Sequence, residues 1–236
     1  MKKNIICLIA LFTLAFGFTS CEKESAGKTA ITYYAHLELE GNSIVGVNIG
    51  AEYVEPGYKA TMNGQDVTSQ VVVTNNIDTS KKGVYTVKYS ITNADGFASN
   101  ETRTVVVCDI KNPIEGLWDV DPKSFRIYDG GAPVLFKGAY QVLFWDNGDG
   151  TYEAEDLMAG WYCQRAGYGS DYAMLGIISI ADDGTITLGE SLVPGWEDSA
   201  DALTDGKYDA ATGTMTYKLF YAGVIEFDVT LYKVAL

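Results

Sequence analysis

Histidine occurs once, at His36, and that scarcity removes most nucleophilic chemistry. A Ser-His-Asp or Cys-His mechanism would have to draw on a residue in the alternating run Tyr33-Tyr34-Ala35-His36-Leu37-Glu38-Leu39-Glu40, and no Gly-x-Ser-x-Gly elbow exists to partner it. His36 therefore reads as a strand residue. Cysteine is nearly as rare: there are four, and none has zinc-type spacing. Basic side chains are also few, 17 against 31 acidic ones, for a formal charge of −14. That is the reverse of the basic footprint a nucleic-acid binder needs. Convincing helical periodicity is missing, and beyond Phe18 no apolar run approaches the roughly 20 residues of a membrane-spanning helix.

The N-terminus carries a signal. Two lysines within Met1 to Asn4 precede Ile5 to Phe18, which is apolar or small almost throughout, the pattern of a secretory leader. It closes on Phe18-Thr19-Ser20-Cys21, which resembles a lipoprotein signal-peptidase site, with Phe18 where such sites more often have Leu. Residues 1–20 are thus expected to be removed, Cys21 to be lipidated, and residues 21–29 to form a polar tether; the alternative is an ordinary cleaved leader beside a free cysteine. An N-acyl chain and a diacylglycerol would anchor the protein durably, at about 0.8 kcal/mol per buried CH₂. Glu22, Lys23 and Glu24 resemble the surface-export signal of lipoproteins in polysaccharide-utilisation systems. The resemblance implies an outer-membrane lipoprotein facing the cell surface, with the periplasmic face as the other placement. Cleavage leaves 15 basic and 31 acidic residues, a charge of −16.

What the chain has in quantity is β pattern. Runs such as Val84-Tyr85-Thr86-Val87-Lys88-Tyr89-Ser90-Ile91 and Thr214-Met215-Thr216-Tyr217-Lys218-Leu219-Phe220 alternate, and turn pairs such as Asn63-Gly64, Asp95-Gly96, Asp149-Gly150 and Asp183-Gly184 separate them. The fold class is all-β and antiparallel. Asp109-Ile110-Lys111-Asn112-Pro113 stops a Val-rich strand at a residue that cannot continue a ladder. The expected domains are therefore 30–109 and 114–236, with residues 110–113 as linker. Cys108 and Cys163 both sit in apolar strand-like runs and read as separate buried thiols, a disulfide being the alternative.

Within the first domain, Glu55-Pro56-Gly57-Tyr58-Lys59-Ala60, Gly64-Gln65-Asp66-Val67-Thr68, Gly83-Val84-Tyr85-Thr86-Val87-Lys88-Tyr89, Asn93-Ala94-Asp95-Gly96 and Thr102-Arg103-Thr104-Val105-Val106-Val107 follow one another. Their order and spacing resemble the immunoglobulin-like modules of bacterial surface proteins, which implies a β-sandwich acting as spacer or platform. Tyr85, Val87, Tyr89 and Ile91 are expected on its inner face. The second domain opens on Gly116-Leu117-Trp118 and ends in the long pair Thr214 to Tyr221 and Val224 to Val234. This resembles a calycin or lipocalin-like barrel, a second sandwich being the alternative.

No catalytic residue is assigned. Glu153 and Glu155 would fall on one strand face about 7 Å apart, a spacing compatible with an inverting glycosidase, but alternate glutamates beside a hairpin read as a solvated face. Asp146-Asn147-Gly148-Asp149-Gly150 and Asp182-Asp183-Gly184 lack EF-hand spacing and read as hairpin turns. No metal or cofactor is expected. Trp118 and Trp145 read as core. Trp196 follows a Pro-Gly turn, while Trp161, Tyr162, Tyr168 and Tyr172 cluster around a Gly-rich stretch. Flat rings beside Gln164, Asp171 and Glu197 suit the C–H faces and hydroxyls of a sugar. The candidate site is Trp196, Trp161, Tyr168, Tyr172, Gln164, Asp171 and Glu197. The expected function is non-catalytic binding of extracellular glycan or another nutrient, with a structural or assembly subunit binding another envelope protein as the alternative.

Overall fold

The computed structural model describes residues 31–236; the expected leader, the lipidation site Cys21 and the tether lie outside the described residues. Within them, β-branched and aromatic alternation produces strands throughout. β1 (His36–Leu39), β3 (Tyr58–Met62) and β4 (Gln65–Asp66) make one small antiparallel sheet. β2 (Ile44–Val47), β7 (Ala98–Val107), β6 (Gly83–Thr92) and β5 (Val72–Asn75) make a second, in that spatial order. β2 runs parallel to β7, from Ile44 opposite Thr104 to Val47 opposite Val107. The two sheets close on Leu37, Ala60, Val87, Tyr89, Ile91, Val105 and Val107. Val87, Tyr89 and Ile91 are buried as the alternation of β6 requires, and Tyr85 is partly buried against the same core.

This sandwich encloses a charge. Arg103 is fully buried, and its guanidinium donates to the carbonyls of Glu40 (2.8 Å), Gly57 (3.0 Å) and Asn42 and to the Tyr89 hydroxyl (3.3 Å). It also meets Glu55 at 3.2 Å. Glu55 in turn accepts from the Tyr53 and Tyr89 hydroxyls, each at 2.5 Å. Burial works against the Glu55 carboxylate, but the two phenols, the Gly57 amide and Arg103 outweigh it and hold the group below its ordinary range.

The rest of the chain forms one ten-stranded antiparallel sheet. β8 (Gly116–Val120), β9 (Phe125–Tyr128) and β10 (Val134–Leu135) lead to β11 (Gln141–Asp146) and β12 (Thr151–Ala154). β13 (Leu175–Ile180), β14 (Ile186–Leu192), β15 (Ala200–Asp209), β16 (Thr214–Tyr221) and β17 (Ile225–Lys233) follow. From β11 to β17, strands adjacent in sequence pair in an up-and-down series, except that β14 and β15 share no ladder. β8 lies between β11 and β17, and the β9–β10 hairpin also pairs with β17. The sheet curls until β14 and β15 touch, joined by the bridge between Thr185 and Lys207 and by the Tyr208 amide donating to Gly184 at 2.7 Å. Between that contact and the Ala200 amide's bond to Ser191 at 3.0 Å, the two strands border a cleft of about 610 Å³. The second domain is thus a half-open barrel.

Its interior holds Trp118, Phe136, Phe144, Met215, Tyr217, Leu219, Phe227, Val229 and Leu231. Burying each such side chain contributes about 1.5 to 3 kcal/mol. Trp118 donates its indole N–H to the Ile114 carbonyl at 2.8 Å and lies 5.4 Å from the Lys233 ammonium. Trp145 departs from the core placement expected of it. Strand alternation turns Val142 and Phe144 inward, so Trp145 is left half-buried on the other face, donating to Glu155 at 3.1 Å.

The segment between the sandwich and the barrel is bonded to both. The Ile110 amide donates to Asn48 at 3.2 Å and Asn112 donates to Asp146 at 2.8 Å. Lys82, just before β6, pairs with Glu115 at 2.6 Å and donates to the Asp146 carbonyl at 2.8 Å. Cys108 and Cys163 are both free thiols.

Candidate functional site

The site is organised by the long excursion between β12 and β13. Asp156 ties its two ends together. One carboxylate oxygen accepts from the amides of Met158 (2.8 Å) and Met174 (2.9 Å), the other from the Gly160 amide (2.8 Å) and the Cys163 thiol (3.1 Å). Burial raises the Asp156 carboxyl above its usual range although all four donors favour its charge. The Cys163 thiol is pushed up to about 12 by burial and by the adjacent Asp156. It is consequently a structural donor and not a thiolate nucleophile.

Ala159 and Gly160 adopt left-handed backbone at φ 53° and 82°, and residues Trp161–Arg165 then form a single π-helical turn. In it the Arg165 amide donates to Gly160 at 2.8 Å and the Ala166 amide to Trp161 at 3.0 Å, five residues back. Such turns are frequent at functional sites. The turn buries its two neighbouring rings to different depths. Trp161 enters the barrel, 3% exposed, against Phe136 (4.9 Å) and Phe227 (6.0 Å). Tyr162 stays half-buried, 6.2 Å from Phe227, and meets Trp196 at 4.8 Å, edge to face.

Trp196 stands on the turn after β14. The Gly195 amide donates to the Asp171 carbonyl at 2.6 Å, and a Cβ on Gly195 would lie 2.8 Å from the Tyr172 ring, so only glycine lets this turn lie flat on the excursion. Four tyrosines surround the indole: Tyr162, Tyr168 (6.3 Å), Tyr172 (5.0 Å) and Tyr221 (6.1 Å, nearly parallel). Tyr221 is the last inward residue of β16, and its hydroxyl donates to both oxygens of Asp198 at 2.7 and 2.8 Å. Burial first, and Asp198 second, raise its phenol well above the usual tyrosine range.

Of the residues proposed from sequence, Trp196, Tyr168 and Tyr172 come together, with Asp171 and Glu197 exposed in the same two loops. Trp196 is 37% exposed and Tyr168 56%. Trp161 and Gln164 are placed elsewhere. Trp161 is core because the π-helical turn directs it inward. Gln164 is spent on the backbone of Gln141, donating at 2.6 Å and accepting at 3.3 Å, and lines a separate cleft with Glu153 and Glu155. Tyr162 and Tyr221 complete the ring cluster. Tyr221 could have been found from the alternation of β16, which continues to its final residue; nothing local in the sequence singles out Tyr162 over Trp161.

Exposed indole and phenol edges at an angle, rimmed by carboxylates, can bind by apolar and hydrogen-bonded contact. The carboxylates here are rim groups or turn anchors, and among the described residues no group of three His, Cys, Asp or Glu side chains is placed to hold a metal.

Comparison with known proteins places this architecture. Residues 37–107 match the family model of a bacterial surface protein Ig-like domain, and residues 107–233 match that of a C-terminal domain family. No curated protein matches. Two structures from Clostridium perfringens ZmpB are more distant, both at a TM-score of 0.27. One is CBM51-2 in complex with GlcNAc and INT domains, at 20% identity over 51% of this chain and 31% of that one. The other is the M60 catalytic domain with CBM51-1 and CBM51-2, at 14% identity over 85% of this chain and 21% of that one. At that TM-score neither likeness bears on fold or function. The crystal structure of the lipoprotein BT2262 from Bacteroides thetaiotaomicron is similar at 39% identity and a TM-score of 0.60, over 85% of this chain and 100% of that one. With a whole-length relative at that identity and an Ig-like module followed by the matching C-terminal domain, the chain belongs to the family of the lipoprotein BT2262.

Proposed function

We propose that the protein is a lipid-anchored surface lipoprotein, held through Cys21, whose half-open barrel binds extracellular glycan at the rings around Trp196. The observation that carries this reading is the position of Trp196: 37% exposed, set at the surface on a glycine-dependent turn, beside the more exposed Tyr168 and the free carboxylates of Asp171 and Glu197. Rings so placed offer exposed apolar edges to sugar C–H groups, and the rim accepts hydroxyl hydrogens. Family membership supports the anchored surface location, since the relative is a lipoprotein.

Titration calorimetry against a polysaccharide panel tests the binding. Affinity for at least one polysaccharide, weakened tenfold or more by Tyr168→Ala, supports it. No binding by the parent protein overturns it, and capture of an envelope protein on the same rings would favour the assembly role instead. Anchoring is tested separately by acyl labelling and fractionation. Cys21→Ala should release the protein from membranes, as no helix among the described residues is long and apolar enough to cross one.

A further inference from the structure

The chain has only three arginines. Arg103 is the buried centre of the sandwich, and the other two, 39 positions apart in sequence, converge on one indole. Arg165 places its guanidinium 4.0 Å from the centre of the Trp161 ring and Arg126 places its own at 4.8 Å. Cation–π attraction accounts for their positions but supplies no counter-charge. Among the described residues neither has a carboxylate within ion-pair distance, in a chain carrying 31 acidic side chains. Their donors are also underused. Arg126 gives one nitrogen to the Tyr162 hydroxyl at 3.4 Å, while its buried Nε has no partner. Arg165 gives its Nε to the Phe136 carbonyl at 3.3 Å. A guanidinium has five N–H donors in a fork suited to carboxylate, sulfate or phosphate. Tyr162, which accepts from Arg126, is the ring in edge contact with Trp196, so Arg126 adjoins the ring cluster directly, while Arg165 is joined to it through the Trp161 ring that both guanidiniums face. Tyr128, 57% exposed, extends the aromatic surface on their other side, 5.8 Å from the Arg126 guanidinium.

We propose that Arg126 and Arg165 form an anion subsite beside the Trp196 cluster, and that the saccharide bound there is acidic, its carboxylate or sulfate engaging the two guanidiniums while its ring packs on the aromatics. The sugar part rests on the glycan reading above; the anion part rests on the arginines alone.

Calorimetry would use the full chain with polygalacturonate, its fully methyl-esterified form, dextran sulfate, unmodified dextran and poly-glutamate. An acidic polysaccharide should bind at least tenfold more tightly than its neutral counterpart, with affinity falling as salt rises. Preference for polygalacturonate names a carboxylate and preference for dextran sulfate a sulfate; either supports the subsite. Arg165→Gln and Arg126→Gln should each weaken the acidic ligand at least tenfold and remove the preference for the acidic over the neutral form. Arg165 is exposed, so its variant keeps the test valid if Arg126→Gln lowers the melting temperature. Equal affinity for acidic and neutral forms overturns the subsite but leaves the glycan reading standing. Poly-glutamate binding as tightly as the acidic polysaccharide overturns the acidic-sugar assignment. Absence of binding to every polysaccharide overturns both.

Discussion

Trp196 and Tyr162 meet edge to face, ring centroids 4.8 Å apart and planes at 90°, although one stands on the turn after β14 and the other on the π-helical turn after β12. Two loops thus share one aromatic surface, which makes Trp196 a clasp between them as well as the centre of the proposed binding surface. Trp196→Ala is expected to abolish glycan affinity at a stability cost of about 1 to 2 kcal/mol. Trp118→Ala, which empties a fully buried site, is expected to cost about 3 to 5 kcal/mol. Denaturant melts of both variants, read beside calorimetry, check the contrast. Equal losses of stability would mean that Trp196 is core.

The thiols should be inert in the native state. Burial and Asp156 push Cys163 up to about 12, and burial together with Glu115 pushes Cys108 up to about 11. At pH 8 a thiol reagent should therefore modify neither within the time that completes reaction in guanidinium, and reductant should leave the melting temperature unchanged. Fast native labelling of Cys163 would contradict its bond to Asp156.

Arg103 is expected to be the most sensitive position of the sandwich. Arg103→Met strips the partner from Glu55 and the donors from three carbonyls, and should cost about 3 to 5 kcal/mol. The pH dependence has a definite sign. Because the folded state holds Glu55 below its ordinary 4.5, its contribution is fully present above that pH and is lost as pH falls through the lower folded value. Acid melts of the parent and of Glu55→Gln should differ most above pH 4.5 and converge only as the pH falls through that lower folded value.

The junction yields a further expectation. Residues 114–236, expressed alone, should melt cooperatively, since the barrel has its own core. They lose Lys82 and the Asp109 amide, however, both of which bond the Glu115 carboxylate in the full chain. The fragment should consequently be less stable than the barrel in the full chain, and Lys82→Met in the full chain should reproduce about 1 to 3 kcal/mol of that loss. Calorimetric melts decide; a fragment without a cooperative transition would make sandwich and barrel one folding unit.

The strands were legible wherever alternation was clean: β6, β16 and β17 bury the residues their period assigns. The Ig-like module was readable because its turns and strands keep a fixed order. Less was legible around the site. Trp196 and Tyr168, singled out for their loop position, lie at the surface, but the different burial of Trp161 and Tyr162 depends on one extra residue in a helical turn, which composition does not encode. Arg126 and Arg165 become neighbours only because β9 pairs with β17 beneath the excursion, a long-range relation that no local window contains. Gln164 resembled a ligand donor because an amide suits sugars, yet the Gln141 backbone offered both a donor and an acceptor nearer at hand.

The parallel pairing of β2 with β7 has a mechanical meaning. β7 leads straight into the segment bonded to the barrel, and β2 lies near the start of the sandwich. A pull between the chain before β2 and the barrel therefore drags these two strands past one another along their length. Evenly spaced ladder bonds from Ile44 to Val47 are then loaded together in shear and cannot be peeled apart one at a time. A tethered protein tugged by flow or by a long polymer would resist at this short ladder, with the buried Arg103 beside it keeping the two sheets in register.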